Sequence, residues 1–145
     1  MDRLTSVPQL RLSQDQVSNF LDEAFPASAR AQLGTVVSLE LNHLRMRLDP
    51  DASMMRPGNI VSGPTLMGLV DVAAYAVIAA HHGPEAMAVT NSLSITFLRG
   101  CDFKPIFADA RLLKLGRRLA SVDVRLWQGS EERLIAQSTV SYALP

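Results

Sequence analysis

A long apolar stretch that holds a single carboxylate constrains the fold of this chain more than any other feature. Residues 66–80 are almost all aliphatic or alanine, and Asp71 is the one acidic or basic side chain among them. A helix that is apolar on every face must be surrounded by other elements. Pro64 suits the first position of such a helix and Gly83 ends it, so we predict a central helix over about residues 64–81.

The segments on either side of this helix predict one antiparallel sheet. Residues 35–48 alternate apolar and polar side chains, which indicates a hairpin that turns near Asn42. Residues 49–61 contain Pro50 and Pro57 and are predicted to form a loop. Further strands are predicted at residues 88–98, 106–115, 119–127 and 134–144. A long sheet curled around one apolar helix accounts for this order.

The N-terminal part of the chain predicts one short helix. Ser13 and Gln16 have the spacing of a capping box, and Val17, Phe20 and Leu21 repeat with helical spacing. We therefore expect an amphipathic helix over about residues 13–25. At 145 residues the chain fits one domain, 1–145, with an extension over residues 1–33 and a core over 34–144.

Composition narrows the classes of partner. Fourteen Lys and Arg balance fourteen Asp and Glu, so no excess of charge indicates nucleic acid or an anionic membrane. Cys101 is the only cysteine, and the three histidines lack metal-ligand spacing, so no metal site is expected. Residues 1–8 lack the apolar segment of a signal peptide, and the longest apolar run is shorter than the roughly 20 residues of a membrane span. We expect a cytoplasmic protein that does not enter a membrane.

Four motifs follow one another along the chain. The first is residues 56–67 at the start of the central helix, with Asp71 nine positions after Ser62. The others are residues 88–99, 113–120 and 134–139. In this order and spacing they resemble the hotdog-fold acyl-CoA thioesterases of the phenylacetyl-CoA (PaaI-like) type, over about residues 34–144.

The resemblance implies an α+β hotdog fold, in which a long curved antiparallel sheet wraps around the central helix. It implies a hydrolase that cleaves an acyl-CoA thioester to a free acid and CoA. It also implies a homo-oligomer, at least a dimer with a shared sheet and often a tetramer in this family. No cofactor is expected beyond the CoA of the substrate.

The sequence departs from the family pattern at the helix start. Ser62 stands where the family has His, Pro64 where it has a second Gly, and Arg56 where it often has Asn. Asn59 could supply an amide from a shifted position. Two alternatives remain open: a non-catalytic acyl-CoA-binding or sensor protein, and an enoyl-CoA hydratase or dehydratase, whose chemistry usually pairs a His with an acid.

Thioester hydrolysis needs an attacking water or carboxylate, and donors for the oxyanion that develops. Asp71 is the candidate general base or nucleophile, and Gly63 is the candidate oxyanion donor because Pro64 has no N–H. Ser62 is first an N-cap and second a catalytic replacement for His. The resemblance implies that the Thr90 hydroxyl orients the water.

The spacing of Gly63 and Asp71 has a consequence for assembly. They are eight residues apart, which on one helix is about 12 Å at roughly 1.5 Å per residue, too far to act on one carbonyl. If both are catalytic, the site combines Gly63 of one subunit with Asp71 of another, so a dimer is required.

The phosphates of CoA need positive charge. Arg99 lies at the end of a predicted strand, and the resemblance places the turn after residue 113 at the nucleotide. A solvated basic turn is the alternative. The predicted CoA-binding residues are Arg99, Lys114, Gly116, Arg117 and Arg118.

Overall fold

The structure is a computed structural model that describes residues 9–145. The expectation for residues 1–8, that they contain no signal peptide, lies outside the described residues. The helices are α1 (Gln14–Ala24), α2 (Ala27–Arg30) and α3 (Gly63–His82), with a 3-10 turn at Ala52–Met54. The strands are β1 (Thr35–Glu40), β2 (His43–Leu48), β3 (Met55–Arg56), β4 (Ile60–Val61), β5 (Val89–Phe97), β6 (Ile106–Leu115), β7 (Leu119–Trp127) and β8 (Leu134–Ala143).

Six strands form one antiparallel sheet in the order β1-β2-β6-β7-β8-β5. β3 and β4 pair separately as a two-stranded ribbon. α3 packs against β2, β5, β6, β7 and β8, and apolar side chains on the sheet face that meets it are fully buried. The predicted arrangement of one antiparallel sheet around a central helix is confirmed.

α3 is the predicted central helix, one residue longer at each end. Residues 72–81 are all buried, and Gly83 ends the helix with a φ of 110° that favours glycine. The expectation that the apolar run is too short for a membrane span was wrong, because a 20-residue helix of this composition could cross one by length. In this fold the sheet covers it, and 67% of its most apolar window is buried.

The N-terminal prediction is confirmed for α1. Ser13 caps the helix, and a capping box with Gln16 is present. Val17 and Leu21 have no exposed surface and join the core under the sheet, so α1 is packed onto the same core as α3. The short helix α2 was not predicted, since four residues are too few to show helical periodicity.

The loop predicted over residues 49–61 was wrong in part. Met55–Arg56 pairs with Ile60–Val61 across a turn in which Asn59 has a φ of 58°. Strands of two residues cannot show alternation, which explains the miss. The ribbon holds Arg56 close to the start of α3.

A buried histidine fastens the end of α3 to the turn between β1 and β2. The Asn42 N–H donates to His81 Nε2 at 2.8 Å, so Nδ1 carries the proton and donates to the Val77 carbonyl, also at 2.8 Å. Burial lowers the pKa of His81 below its ordinary 6.5, although the bond to Val77 opposes this shift. The neutral ring is therefore the form that the fold requires.

We expect the free energy of unfolding to fall when the pH drops below about 6.5. Because the pKa of His81 is lowered in the folded state, the unfolded chain binds the proton at a higher pH than the folded chain does. The contribution of His81 to stability is therefore complete above about 6.5 and is lost as the pH falls toward its folded-state pKa. His81→Gln should remove this slope and cost about 1–3 kcal/mol at pH 7. Urea unfolding between pH 7 and 5 tests this, with His82→Gln as the control. A slope unchanged by His81→Gln would contradict it.

Candidate functional site

Asp71 lies half-buried on α3, facing β5 and β8. Its Oδ1 accepts hydrogen bonds from the Thr90 hydroxyl at 2.8 Å and from the Tyr142 hydroxyl at 2.7 Å. Thr90 and Tyr142 are directly opposed in the β5–β8 pair, so both hydroxyls reach the same oxygen. No residue among 9–145 donates a hydrogen bond to Oδ2. The carboxylate is thus oriented through one oxygen and open at the other.

Tyr142 was not among the predicted site residues. Tyr142 is 4% exposed, and this burial is the main reason that the pKa of its hydroxyl is raised. The hydroxyl therefore stays protonated and donates to the carboxylate. The signal that could have revealed it is the strand register that sets it opposite Thr90, and a single sequence does not supply that register.

Tyr142→Phe should slow about fivefold the hydrolysis that the sequence resemblance implies, because the carboxylate loses one of its two orienting donors at a cost of roughly 1 kcal/mol. The phenyl ring still packs 5.8 Å from the Tyr75 ring, so the fold should be retained. The rate of thioester hydrolysis together with thermal unfolding would test this. Tyr75→Phe, which removes a hydroxyl bonded only to the Ala86 carbonyl, is the matched control. Equal losses in both variants would contradict a role for Tyr142 in orienting Asp71.

The start of α3 presents one free backbone donor. The N-cap interpretation of Ser62 is confirmed, since its Oγ accepts from the Thr65 N–H at 3.4 Å and its carbonyl from the Leu66 N–H at 3.2 Å. Pro64 has no N–H. The Gly63 N–H has no acceptor among residues 9–145 and lies at the positive end of the helix dipole.

A cavity of about 440 Å³ opens beside this free N–H. Gly63 and Leu66 of α3 line it together with Phe97 at the end of β5, and Arg56 and Arg99 lie at its wall. A Cβ on residue 63 would lie 3.5 Å from Phe97 Cζ, an ordinary van der Waals contact, so the Phe97 ring borders the backbone of Gly63. Asn59 is exposed at the tip of the ribbon and does not line the cavity.

Within one subunit the candidate residues form two groups at opposite ends of β5. Thr90 at one end contacts Asp71, whereas Phe97 at the other end lies beside Gly63. A strand of nine residues is roughly 27 Å long. Gly63 and Asp71 also lie on the same helix, as predicted, so one subunit does not bring them to one carbonyl.

The predicted CoA-binding residues also lie at two opposite ends of the sheet. Leu119 and Val89 both pair with Ala143, which places the turn between β6 and β7 at the Thr90 end of the sheet. Arg99 donates to the Leu134 carbonyl at 2.6 Å and so lies at the other end. Gly116 is structural, since its N–H donates to the Leu119 carbonyl. Lys114, Arg117 and Arg118 are exposed, and no described carboxylate pairs with them.

Neither a thiol nucleophile nor a metal cluster is found near these groups. Cys101 is 1% exposed, and burial raises its pKa to about 12, which keeps the thiol protonated. Among residues 9–145 no three His, Cys, Asp or Glu side chains are grouped as metal ligands.

The sequence matches the family model of the thioesterase superfamily over residues 58–135, which include α3, β5, β6 and β7. The chain belongs to the thioesterase superfamily. A proposed thioesterase from Silicibacter sp. TM1040 is 38% identical, with 94% of each chain covered and a TM-score of 0.84. No curated protein sequence matches the chain.

More distant structures show the same fold for this thioesterase-superfamily protein. The PaaI protein of the phenylacetic acid degradation operon of E. coli is 18% identical, with 88% of this chain and 95% of that chain covered and a TM-score of 0.72. Protein smu.793 of Streptococcus mutans UA159, bound to acetyl CoA, is 21% identical, with 76% and 86% covered and a TM-score of 0.67. The predicted hotdog fold of the PaaI type is confirmed.

Proposed function

We propose that this protein hydrolyses an acyl-CoA thioester to a free acid and CoA. The observation that carries the proposal is the carboxylate of Asp71, which Thr90 and Tyr142 orient through Oδ1 while Oδ2 stays open. An oriented carboxylate with one free oxygen can take a proton from water or attack the thioester itself. Membership of the thioesterase superfamily supports the reaction, and the acetyl CoA bound to smu.793 supports the substrate class.

The open edge of β5 supplies a way to complete the site. β5 ends the sheet, so one side of its backbone has no strand partner among the described residues. Two copies paired antiparallel through β5, about a two-fold axis near Leu93, would set Phe97 of one subunit opposite the start of β5 in the other. Gly63 would then lie near Asp71 of the partner subunit.

The chemistry of this composite site follows from the groups in it. The Gly63 N–H and the dipole of α3 stabilise the oxyanion as it develops on the thioester carbonyl. Asp71 of the partner subunit supplies the base or the nucleophile. As a base, Asp71 takes a proton from the water whose oxygen adds to the carbonyl carbon, the bond from that carbon to sulfur breaks, and the proton passes to the sulfur of CoA. As a nucleophile, Asp71 forms a mixed anhydride as the thiolate of CoA leaves, and water then hydrolyses the anhydride to the free acid and protonates the thiolate.

The same symmetry assembles the predicted CoA-binding residues. The basic turn of the partner subunit, residues 114–118, comes to the end of the sheet that carries Arg99. Exposed lysine and arginine side chains without carboxylate partners suit the phosphates of CoA. Positive charge from two subunits then holds the nucleotide of one substrate.

A screen of acyl-CoA thioesters tests this function. The screen should include short, medium and long aliphatic chains and phenylacetyl-CoA, with released thiol measured against the uncatalysed rate. Turnover of at least one substrate is expected. Absence of turnover with all of them would refute the activity.

Dimer formation through β5 can be tested with charge. Ser92→Glu combined with Ser94→Glu sets like charges along the paired edge and should weaken the dimer about tenfold or more. Activity should fall with the fraction of dimer. Thr139→Glu is the matched control, because Thr139 pairs with Ser94 but lies on β8, between two strands. Sedimentation measures the dissociation constant, and an unchanged constant in the double variant would contradict pairing through β5.

One observation favours a second function, acyl-CoA binding without catalysis. Ser62 stands where the family has His, and its hydroxyl is engaged with Thr65 as an N-cap. A sensor would bind acyl-CoA tightly and release no CoA. Titration calorimetry beside the activity screen separates the two functions.

A further inference from the structure

Two guanidinium groups at the cavity beside Gly63 have no carboxylate partner. Arg56 makes no hydrogen bond or ion pair with any residue among 9–145, and the single bond of Arg99 is to the Leu134 carbonyl. Arg45 pairs with Asp109 and Arg47 with Asp49, whereas Arg111, Arg117 and Arg118, like Arg56, form no ion pair among residues 9–145, so the position of Arg56 at the cavity is what distinguishes it. No Asp or Glu lines the cavity. Its wall therefore carries uncompensated positive charge.

The backbone on which these arginines lie is held in place. The Ser62 N–H donates to the Met54 carbonyl, and the Val61 N–H donates to the Cys101 carbonyl, both at 2.8 Å. These bonds tie the ribbon of β3 and β4 to the start of α3 and to the segment after β5. Arg56 and Arg99 are thus presented to the cavity by backbone with fixed partners.

The rest of the lining is largely apolar. Ile60, Leu66 and Phe97 contribute hydrocarbon, and the free N–H of Gly63 adds the positive end of α3. Guanidinium groups bind carboxylate and phosphate with paired hydrogen bonds, and Arg56 and Arg99 are both exposed and therefore accessible to such a group. A ligand that fits this cavity has an apolar body and an anionic group.

We propose that this cavity recognises an anionic group of the substrate through Arg56, assisted by Arg99. The proposal rests on the proposed function of the same site and makes Arg56 a residue that determines specificity. The anion has two sources in an acyl-CoA: a carboxylate at the far end of the acyl chain, or a phosphate of CoA.

Four matched substrates separate these sources. Hexanoyl and adipoyl thioesters have the same chain length and differ in a terminal carboxylate, and each is prepared on CoA and on N-acetylcysteamine, which has no phosphate. We expect Arg56→Gln to lower kcat/KM at least about tenfold on a subset of them. A loss on both adipoyl esters alone identifies the acyl carboxylate. A loss on both CoA esters alone identifies a phosphate.

Arg111→Gln is the control, since Arg111 is an exposed arginine on β6 whose neighbours Ala110 and Leu112 face the core. An equal effect of Arg56→Gln on all four esters, or no effect, would overturn the proposal. If the wild type cleaves none of them, titration of S-hexyl-CoA and S-(5-carboxypentyl)-CoA tests Arg56 by binding alone, and the wider acyl-CoA screen decides separately whether the proposed function fails. Weaker binding of either thioether by Arg56→Gln supports its role. Unchanged binding, or no binding by the wild type, rejects it.

Discussion

Asp71→Asn is expected to lower kcat/KM for the best acyl-CoA substrate about 10³-fold, the range of a lost general base. The amide has the shape of the carboxylate, and its oxygen can still accept from Thr90 and Tyr142, so the fold and the thermal unfolding temperature should change little. What is lost is the free oxygen that takes a proton or attacks the carbonyl. Release of CoA under steady-state conditions measures the effect.

The matched control is Asp49→Asn, which neutralises an exposed carboxylate bonded to Arg47. It should leave activity unchanged. If Asp71→Asn keeps activity within a few-fold of the wild type, Asp71 is neither base nor nucleophile. For an active wild type, a single turnover in ¹⁸O-labelled water then separates these two roles. Label recovered in Asp71 identifies direct attack, with water opening the anhydride at the Asp71 carbonyl. Label only in the product acid, with no acyl-enzyme trapped by hydroxylamine, identifies attack by water.

Gly63→Pro should reduce kcat by about 10²- to 10³-fold, the effect of losing one oxyanion donor. The substitution removes the N–H and also adds a ring before Pro64, where a residue with a Cβ is disfavoured in the helical conformation; Gly63→Ala adds the same Cβ and keeps the N–H. Ser62 already has a ψ of 151°, which suits a residue before proline, and the first helical position accepts proline without loss of a helical hydrogen bond. The kcat of the purified variant, with its circular dichroism as a check on folding, measures this effect.

Gly63→Ala is the control that separates the donor from the side chain. It keeps the N–H and adds a Cβ at an ordinary contact distance of 3.5 Å from Phe97 Cζ. Its activity should stay within a few-fold of the wild type. Equal losses in the proline and alanine variants would show that space at residue 63, rather than the N–H, limits the reaction.

Mixing the two inactive proteins tests whether the site is shared. A dimer with one Asp71→Asn subunit and one Gly63→Pro subunit has both defects in one site and none in the other. Random exchange of subunits should therefore restore about a quarter of the wild-type activity. No recovery, once mixed dimers are shown to form, would place the whole site within one subunit.

Much of the fold follows from local patterns in the sequence. An apolar run with no polar face has to be buried, which predicts α3 as the central helix. The alternation of apolar and polar side chains predicts the long strands. The lone Asp71 and its eight-residue distance from Gly63 are also properties of the sequence, because helix geometry converts sequence spacing directly into distance.

Only the tertiary structure decided which distant residues lie beside Asp71 and beside Gly63. Tyr142 is 71 residues from Asp71 in the sequence and reaches it through the register of β5 and β8. Arg56 meets the cavity through a ribbon too short to leave a periodic pattern. Strand register and chain reversal arise from the packing of the whole chain, whereas helical and strand periodicity arise from the backbone of each segment alone.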